Sequence, residues 1–354
     1  MQPIVCSSPV PAAQEHAQGA DHAGRLLEVD ALRGLAALSV LLFHYTTRLT
    51  ELFPAAGSPS FAVPTGYFGV NLFFIISGFV IFMTLERTTR GRDFWLSRLG
   101  RLFPAYWVAI AATFTICHLL GLPGKLVNWQ TALANLVMVH GLFGVAHVDG
   151  VYWTLEVEML FYCGMFLLYR LRWMAHIHWF LCALMVLRLA HFAMVQRWDM
   201  GLPWIVYRLL ILQYLPWFAL GIAVFRTSQD TPPRIHHGMA MTVGLALVTL
   251  WICESAAVAG LAVVFAMAVY GAARSQLALL RMGPLVWLGG ISYSLYLLHE
   301  NIGWAIQLRL MEWQLSPDLA LLVALASVLV LADLCRRHVE LPAVRWARTM
   351  RKKV

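Results

Sequence analysis

The sequence predicts an all-α fold: a polytopic integral membrane protein, built as a bundle of about ten transmembrane helices with both termini in the cytoplasm. Hydrophobic residues make up 60% of the 354 residues and charged residues only 12%. The mean hydropathy is +0.70, which lies outside the range of soluble domains. Apolar runs of about 20 residues recur, the length that crosses about 30 Å of hydrocarbon as a helix.

The apolar runs set the predicted spans, in chain order. They lie near residues 34–50, 67–85, 102–120, 151–169, 176–195, 203–225, 238–253, 255–273, 285–307 and 319–335. Residues 129–147 are also apolar but are interrupted by Asn135, His140 and several glycines. We expect this segment to re-enter the membrane or lie at its surface rather than to span it.

The positions of the basic residues test this topology. Cytoplasmic connections carry an excess of Lys and Arg, and with the N-terminus inside, about 20 of the 26 basic residues fall on one side. Counting residues 129–147 as a crossing would invert every later connection and remove the agreement. The net charge of +8 therefore reflects membrane topology, and no nucleic-acid partner is predicted.

Span one carries two ionisable residues, which are costly in a membrane and are therefore candidates for function. Arg33 opens the span and His44 follows eleven positions later, so both project from one helix face, about 16 Å apart along the axis. Asp30 lies one turn before Arg33 and is predicted to pair with it. The structural alternative makes Arg33 a boundary residue and His44 a hydrogen-bonded core histidine.

Two arginines, Arg98 and Arg101, follow span two and are one helical turn apart. Paired guanidinium groups suit phosphate oxygens, which they can hold through two parallel hydrogen bonds. The alternative is that both residues only add to the basic excess of a cytoplasmic connection.

Span four contains two carboxylates, Glu156 and Glu158. These positions are about 200° apart on a helix, so the two side chains face different surroundings. Glu158 lies deeper and is the better candidate for an acid, a base or a histidine partner. The alternative is a single hydrogen bond between helices.

Span nine is rich in hydroxyl groups and then reaches His299 and Glu300 near the predicted outer face. Small hydroxyl side chains commonly join membrane helices, which is the structural interpretation of Ser292 and Ser294. His299 is a further candidate, with a position at the wet interface as its alternative.

Five segments in this order resemble the signature motifs of the acyltransferase-3 family, membrane O-acyltransferases that modify surface polysaccharides. They are Leu26–Ala36 with the following His44, Gly69–Phe79, Phe94–Pro104, Trp153–Tyr162 and Ser292–His299. Among them are a basic residue ten positions before a histidine and an arginine-x-x-arginine element. The chain departs from the family pattern at Glu300, which follows His299 where a proline is usual.

The resemblance divides the chain into three parts. Residues 26–337 are predicted to form the acyltransferase-3 transmembrane domain, and residues 338–354 a basic cytoplasmic tail. Residues 1–25 lack the basic start and apolar core of a signal peptide, and we predict a disordered cytoplasmic tail there. Six single cysteines, mostly in apolar runs, predict packing residues, and the thirteen histidines lack the spacing of a metal site.

The resemblance also implies a reaction. An acyl group, acetyl by default, would pass from cytoplasmic acyl-CoA to a hydroxyl of a surface or exopolysaccharide sugar, or of its lipid-linked precursor. Acyl-CoA (acetyl-CoA) is then a donor substrate, no cofactor is bound permanently, and the protein is a multi-pass protein of the bacterial inner membrane, with the lipid bilayer around it.

Roles for individual residues follow from the same resemblance. His44 would act as general base, Glu158 would orient its imidazole, and Arg33 with Asp30 would shape the donor passage. Arg98 and Arg101 would hold the nucleotide phosphates. The implied substrate contacts are Tyr293, His299 and Trp153. An acyl-histidine intermediate stays open as an alternative.

Two other functions were weighed against this one. A transporter would also place ionisable residues inside a helical bundle, but it predicts internal repeats, which the sequence does not show. An acyltransferase acting on a secondary metabolite or a lipid remains open, because the motifs do not define the acceptor.

Overall fold

The computed structural model of the protein describes residues 26–229 and 236–352, and the chain in these ranges folds into helices joined by turns, without a strand. Residues 1–25, predicted to form a disordered tail, lie outside the described residues. The longer helices are α1 (Leu27–Leu42), α2 (Gly69–Glu86), α3 (Gly91–Leu120), α4 (Trp153–Arg170), α5 (Ile177–Trp198), α6 (Leu215–Gln229), α7 (His237–Cys253), α8 (Ala256–Ala273), α9 (Gly283–Leu298), α10 (Glu300–Glu312), α11 (Pro317–Cys335) and α12 (Leu341–Lys352).

Within the described ranges, six helical segments are long and apolar enough to cross a membrane. They are Gly66–Glu86, Gly91–Leu120, Gly150–Arg170, Met174–Trp198, Ala256–Ala273 and Pro317–Arg351. Helices α7 and α9 are apolar but shorter. The predicted class, a polytopic helical membrane protein, is confirmed. Residues 129–147 form a short helix (Trp129–Ala134) and a 3₁₀ turn (His140–Phe143), so they do not cross as one continuous helix.

Two of the predicted spans are interrupted. The span near 285–307 bends at His299, where α9 ends and α10 begins. The span near 203–225 consists of a short helix (Trp204–Leu209) and α6, separated by a turn in which Ile211 has φ 46°. Both predictions of a single helix were wrong because apolar composition runs through the breaks, while the breaks themselves depend on contacts with distant helices.

Glycine pairs bring two pairs of helices into close contact around the centre of the fold. A Cβ on Gly34 would meet the backbone of Gly289, and one on Gly289 would meet the Asp30 carbonyl. The same reciprocal contact joins α2 to α6, since Gly78 faces the Phe218 backbone and Gly221 faces that of α2. Small residues of this kind allow membrane helices to pack backbone to backbone. They place the Arg33 end of α1 directly against α9.

The basic C-terminal segment is not separate from the bundle. After α11, a π-helical turn (Arg336–Glu340) leads into α12, which packs on α3. Gly100 of α3 lies against Ala347, which is 3% exposed. The segment predicted as a tail thus folds as a helix from Leu341 onwards and covers the end of α3 that carries the two arginines.

Candidate active site

His44 lies on a π-helical turn, Phe43–Arg48, that follows α1. Such turns widen the helix and are frequent at functional sites. The indole N–H of Trp304 donates to the His44 carbonyl over 2.8 Å, and the Tyr45 hydroxyl donates to the His299 carbonyl over 2.8 Å. Gly303 lies so close to Tyr45 that a Cβ would clash with its ring. These bonds fasten the end of α1 to the bend between α9 and α10.

The hydrogen bonds of the two histidines define which nitrogen is basic. His44 Nδ1 is 2.9 Å from the Val40 carbonyl and 3.2 Å from His299 Nε2. His299 Nδ1 is 2.9 Å from the Tyr296 carbonyl. Because a carbonyl only accepts, each Nδ1 carries the proton in the neutral ring. His299 Nε2 therefore accepts from His44, and the lone pair of His44 Nε2 remains as the basic site.

A buried carboxyl pair stands next to that nitrogen. Glu300 Oε2 is 3.6 Å from His44 Nε2, and Glu300 shares a hydrogen bond with Asp149. Asp149 is fully buried and also accepts from the backbone N–H groups of Asn301 (3.1 Å) and Val151 (3.2 Å). The two carboxyl groups therefore act on each other, and they lie beside the imidazole.

Neither carboxyl group was predicted to lie beside His44. Two signals could have found them: Glu300 departs from the family pattern directly after His299, and Asp149 is an acid placed immediately before an apolar span. Gly150 also contributes to this arrangement, because a side chain with a Cβ at this position would meet the Glu300 carboxylate.

A cavity of about 360 Å³ opens at His44. Aromatic rings form much of its wall, and polar side chains are spaced among them. Its lining includes Phe43, Tyr67, Phe68, Trp153, Tyr214, Trp217 and Tyr296, together with Asn71, Gln213, Glu254 and Glu300. The rings of Trp153 and Tyr214 are 5.2 Å apart. Trp153, predicted as a substrate contact, thus lies in the same cavity as His44.

The arginines line a second, smaller cavity of about 70 Å³. Arg33, Arg98 and Arg101 face it together with Tyr293 and Glu158. Arg98 is 8% exposed, and one of its amino groups donates to the Thr84 hydroxyl over 2.6 Å. Its Nε–H is buried without a hydrogen-bond partner among the described residues. An unpaired buried donor costs about 1–3 kcal/mol, which indicates a site shaped for an acceptor.

Glu158 belongs to the arginine cavity rather than to His44. It accepts hydrogen bonds from Ser77 (2.7 Å) and Tyr162 (2.6 Å). The predicted pairing of Glu158 with His44 is therefore wrong: the carboxylate neighbour of His44 is Glu300. The predicted opposition of the two acids on α4 is confirmed, because Glu156 points away and pairs with Arg208.

Two further predicted residues also lie at the arginine end. Tyr293 donates its hydroxyl proton to the Leu102 carbonyl over 2.7 Å and lines the arginine cavity. Asp30 acts electrostatically on Arg33, and their direct pairing stays a prediction. The Asp30 carbonyl packs against Gly289.

The two cavities are neighbours. Val70 and Tyr296 line both of them, and the hydroxyl groups of Tyr296 and Thr154 are hydrogen-bonded at 2.9 Å. Val70 and Tyr296 are thus part of the wall that the two cavities share. Over the described residues, no cluster of three His, Cys, Asp or Glu side chains could hold a metal ion.

Comparison with known proteins supports the assignment of the fold and motifs to one family. The profile of the acyltransferase-3 family, described as an acyltransferase domain, matches residues 26–337. Nodulation protein 10 of Rhizobium leguminosarum bv. viciae is 30% identical over 151 residues, 38% of this chain and 41% of that protein. Exopolysaccharide production protein ExoZ of Rhizobium meliloti (strain 1021) is 34% identical over 119 residues, 31% of this chain and 37% of that protein.

A third relative is peptidoglycan O-acetyltransferase OatA of Listeria monocytogenes serovar 1/2a, 27% identical over 166 residues, 41% of this chain and 24% of that protein. The chain spans about two fifths or less of the length of these curated relatives. No solved structure matches. Because the family profile covers most of the chain, the prediction from the five motifs is confirmed: the chain belongs to the acyltransferase-3 family and carries its acyltransferase domain.

Proposed function

We propose that this protein is a membrane O-acyltransferase of the bacterial inner membrane. It moves an acyl group, acetyl by default, from cytoplasmic acyl-CoA to a hydroxyl of a surface or exopolysaccharide sugar, or of its lipid-linked precursor. One observation carries the proposal: His44 lines an aromatic cavity, and Val70 and Tyr296 line both that cavity and a pocket that is also lined by three arginines.

The arginine cavity fits the phosphate end of the donor. Arg33, Arg98 and Arg101 bring three guanidinium groups to one small space, and guanidinium groups bind phosphate oxygens through charge-assisted hydrogen bonds. The unpaired Nε–H of Arg98 supplies a donor that such an oxygen would satisfy. The pantetheine arm would then pass Tyr296 towards His44. The length of this path would be close to the distance between Arg33 and His44 along the helix axis, about 16 Å.

The His44 cavity fits the acceptor and the chemistry. His44 Nε2 takes the proton of the sugar hydroxyl as its oxygen attacks the thioester carbonyl. The carbon–sulfur bond then breaks, and the leaving thiolate takes the proton back from the imidazolium, so protons and charges balance. Negative charge on the neighbouring carboxyl groups of Glu300 and Asp149 would stabilise the imidazolium, and His299 holds the Nδ1 side of the ring.

Two kinds of support favour a carbohydrate acceptor. The wall of the cavity combines rings such as Trp153 and Tyr214 with the polar side chains of Asn71 and Gln213, and this mixture suits a ligand with both C–H and hydroxyl faces. In addition, the names of two relatives refer to exopolysaccharide production and to peptidoglycan O-acetylation.

The first test is the His44→Ala variant in the native strain. We expect acyl transfer to fall by roughly 10²–10⁴-fold, the usual contribution of a general base. Mass spectrometry of the surface polysaccharide would show the loss of an acyl mass while the glycan backbone is unchanged. Incorporation of radioactive acetyl-CoA by isolated membranes measures the rate.

A matched control exists in His118→Ala. His118 makes the same backbone bond to the carbonyl four residues earlier (2.8 Å), but it is exposed and lines neither cavity. It should keep wild-type transfer. Unchanged acylation in the His44 variant, at equal membrane levels, would overturn the proposal.

A further inference from the structure

A third cavity lies beyond the His44 cavity and shares part of its wall. Its volume is about 490 Å³, within the range of small-molecule sites. Gln213 and Glu254 line both cavities, so the two cavities are neighbouring chambers that share part of one wall. The remaining wall comes from α5, the short helix before α6, and the end of α7: Arg188, His191, Phe192, Val195, Tyr207 and Cys253.

The charge in this third cavity is already compensated. Arg188, only 3% exposed, donates to the Gln213 carbonyl over 2.7 Å and to the Glu254 carboxylate over 2.9 Å. Its guanidinium group is thus occupied by protein partners, unlike the one of Arg98. A phosphate would have to displace Glu254 to reach it. The chamber therefore suits a neutral ligand rather than an anion.

The other side chains that line this third cavity suit the hydroxyl groups of a ligand. His191 Nδ1 accepts from the Leu202 backbone N–H over 3.0 Å, so the neutral ring carries its proton on Nε2 as a donor. The Tyr207 ring packs on His191 at 4.5 Å and adds a hydroxyl that both donates and accepts. Phe192 and Val195 supply apolar surface. A hydrocarbon chain would leave the polar groups unpaired, whereas a sugar can bond them.

The turn between the two chambers is held in an unfavourable conformation. Ile211 is β-branched and has φ 46°, in a region that such residues rarely adopt because it strains the backbone. Strain of this kind persists only where surrounding contacts enforce it, and the bond from Arg188 to the Gln213 carbonyl is such a contact. The result is that Gln213 stands between the chambers with its side chain exposed to them.

We propose that this cavity is a second sugar subsite, which binds the neutral residue next to the one acylated at His44. The acceptor is then an oligosaccharide or a polysaccharide rather than a single sugar. This inference rests on the proposed function and deepens it. Hydrogen bonds to the second sugar would make a two-sugar acceptor roughly tenfold better than a one-sugar acceptor.

The experiment compares acceptors by length. Purified protein receives acetyl-CoA with a radioactive acetyl group and fragments of one, two or three sugar residues. The fragments come from the alkali-deacylated polysaccharide of the producing strain. The measured quantity is the ratio of kcat/KM between the two-sugar and one-sugar fragments. We expect this ratio to be about ten for the wild type.

Two tryptophan substitutions on α5 provide a matched pair. Val195 lines the cavity, whereas Val186 lies nine residues earlier, about 180° around the helix, and is 55% exposed. Val195→Trp fills the chamber and should bring the length ratio close to one. Val186→Trp should keep the wild-type ratio. A general loss of folding would lower all rates together and would leave the ratio unchanged, so the ratio separates the two effects.

The outcomes are distinct. Transfer to every fragment without a length preference, or the same ratio in wild type and Val195→Trp, would overturn the second subsite and leave the proposed function standing. Label in none of the fragments with the wild type would overturn free glycan as the acceptor, and the second subsite with it. Label in the lipid-linked precursor of isolated membranes would then leave the proposed function standing, and its absence there would overturn that function too.

Discussion

The arginine cavity and the His44 cavity differ in how far the protein satisfies its own polar groups. Around His44, the ring Nδ1 has two partners, and the backbone carbonyls of His44 and His299 receive hydrogen bonds from Trp304 and Tyr45. Around the arginines, the buried Nε–H of Arg98 has no partner among the described residues. The imidazole is thus held by the protein's own contacts, whereas Arg98 offers a hydrogen-bond donor that the proposed phosphate ligand would complete.

The difference indicates a division of work between the two cavities, with donor binding at the arginines and catalysis at His44. A preorganised base supplies its effect at the moment of reaction, without first reorganising its surroundings. A pocket with unpaired donors gains its hydrogen bonds only when phosphate oxygens arrive. Substitutions in the arginine cavity should therefore change the KM for the donor, and those around His44 should change kcat.

The largest effect expected within this comparison comes from Arg98→Met. Charge-assisted bonds to a phosphate contribute about 1.5–3 kcal/mol each, so the KM for acetyl-CoA should rise by roughly 10–100-fold with little change in kcat. The melting temperature should not fall, because methionine removes a buried charge and an unpaired N–H. Arg170→Met, an exposed arginine at the end of α4, serves as control. A lower kcat at unchanged KM would contradict the division of work.

The next effect in size is that of Glu300→Gln. The amide keeps the shape of the side chain but removes the charge next to the imidazolium, and kcat should fall by about tenfold while the KM for acetyl-CoA is unchanged. Steady-state rates over a range of donor concentrations give both values. Glu312→Gln changes an exposed glutamate on the same helix and should have no effect. If Glu300→Gln raised the KM alone, Glu300 would belong to donor binding.

Local regularities predicted a large part of the molecule. Helix geometry placed Glu156 and Glu158 on opposite faces, and the order of five motifs identified the family. Both inferences use residues close in sequence, or a pattern that many proteins share. The helical membrane class followed from composition, since few other structures satisfy the backbone of such long apolar runs.

Other features depend on contacts that sequence spacing does not encode. Asp149 and Glu300 are about 150 positions apart, and they meet because the backbone N–H of Asn301, the residue after Glu300, donates to Asp149. The bend at His299 is stabilised by Tyr45 from another helix. For the same reason Glu158 was given the wrong partner: its depth in the membrane was predictable, but the helix that it faces was not.

The smallest effect is expected for Tyr45→Phe, a substitution that tests the bend at His299 between α9 and α10. The substitution removes one hydroxyl bond to the His299 carbonyl, which still accepts from the Gly303 N–H over 3.1 Å. Loss of one such bond costs about 1 kcal/mol, and the melting temperature should fall by about 2 °C. We expect kcat to drop by less than about tenfold, because His44 and His299 become slightly misplaced, with the KM for acetyl-CoA unchanged. A lower melting temperature with unaltered kcat would show that the cross-bond stabilises the fold without positioning the base, and the contrast between the two cavities would then rest on Glu300 alone.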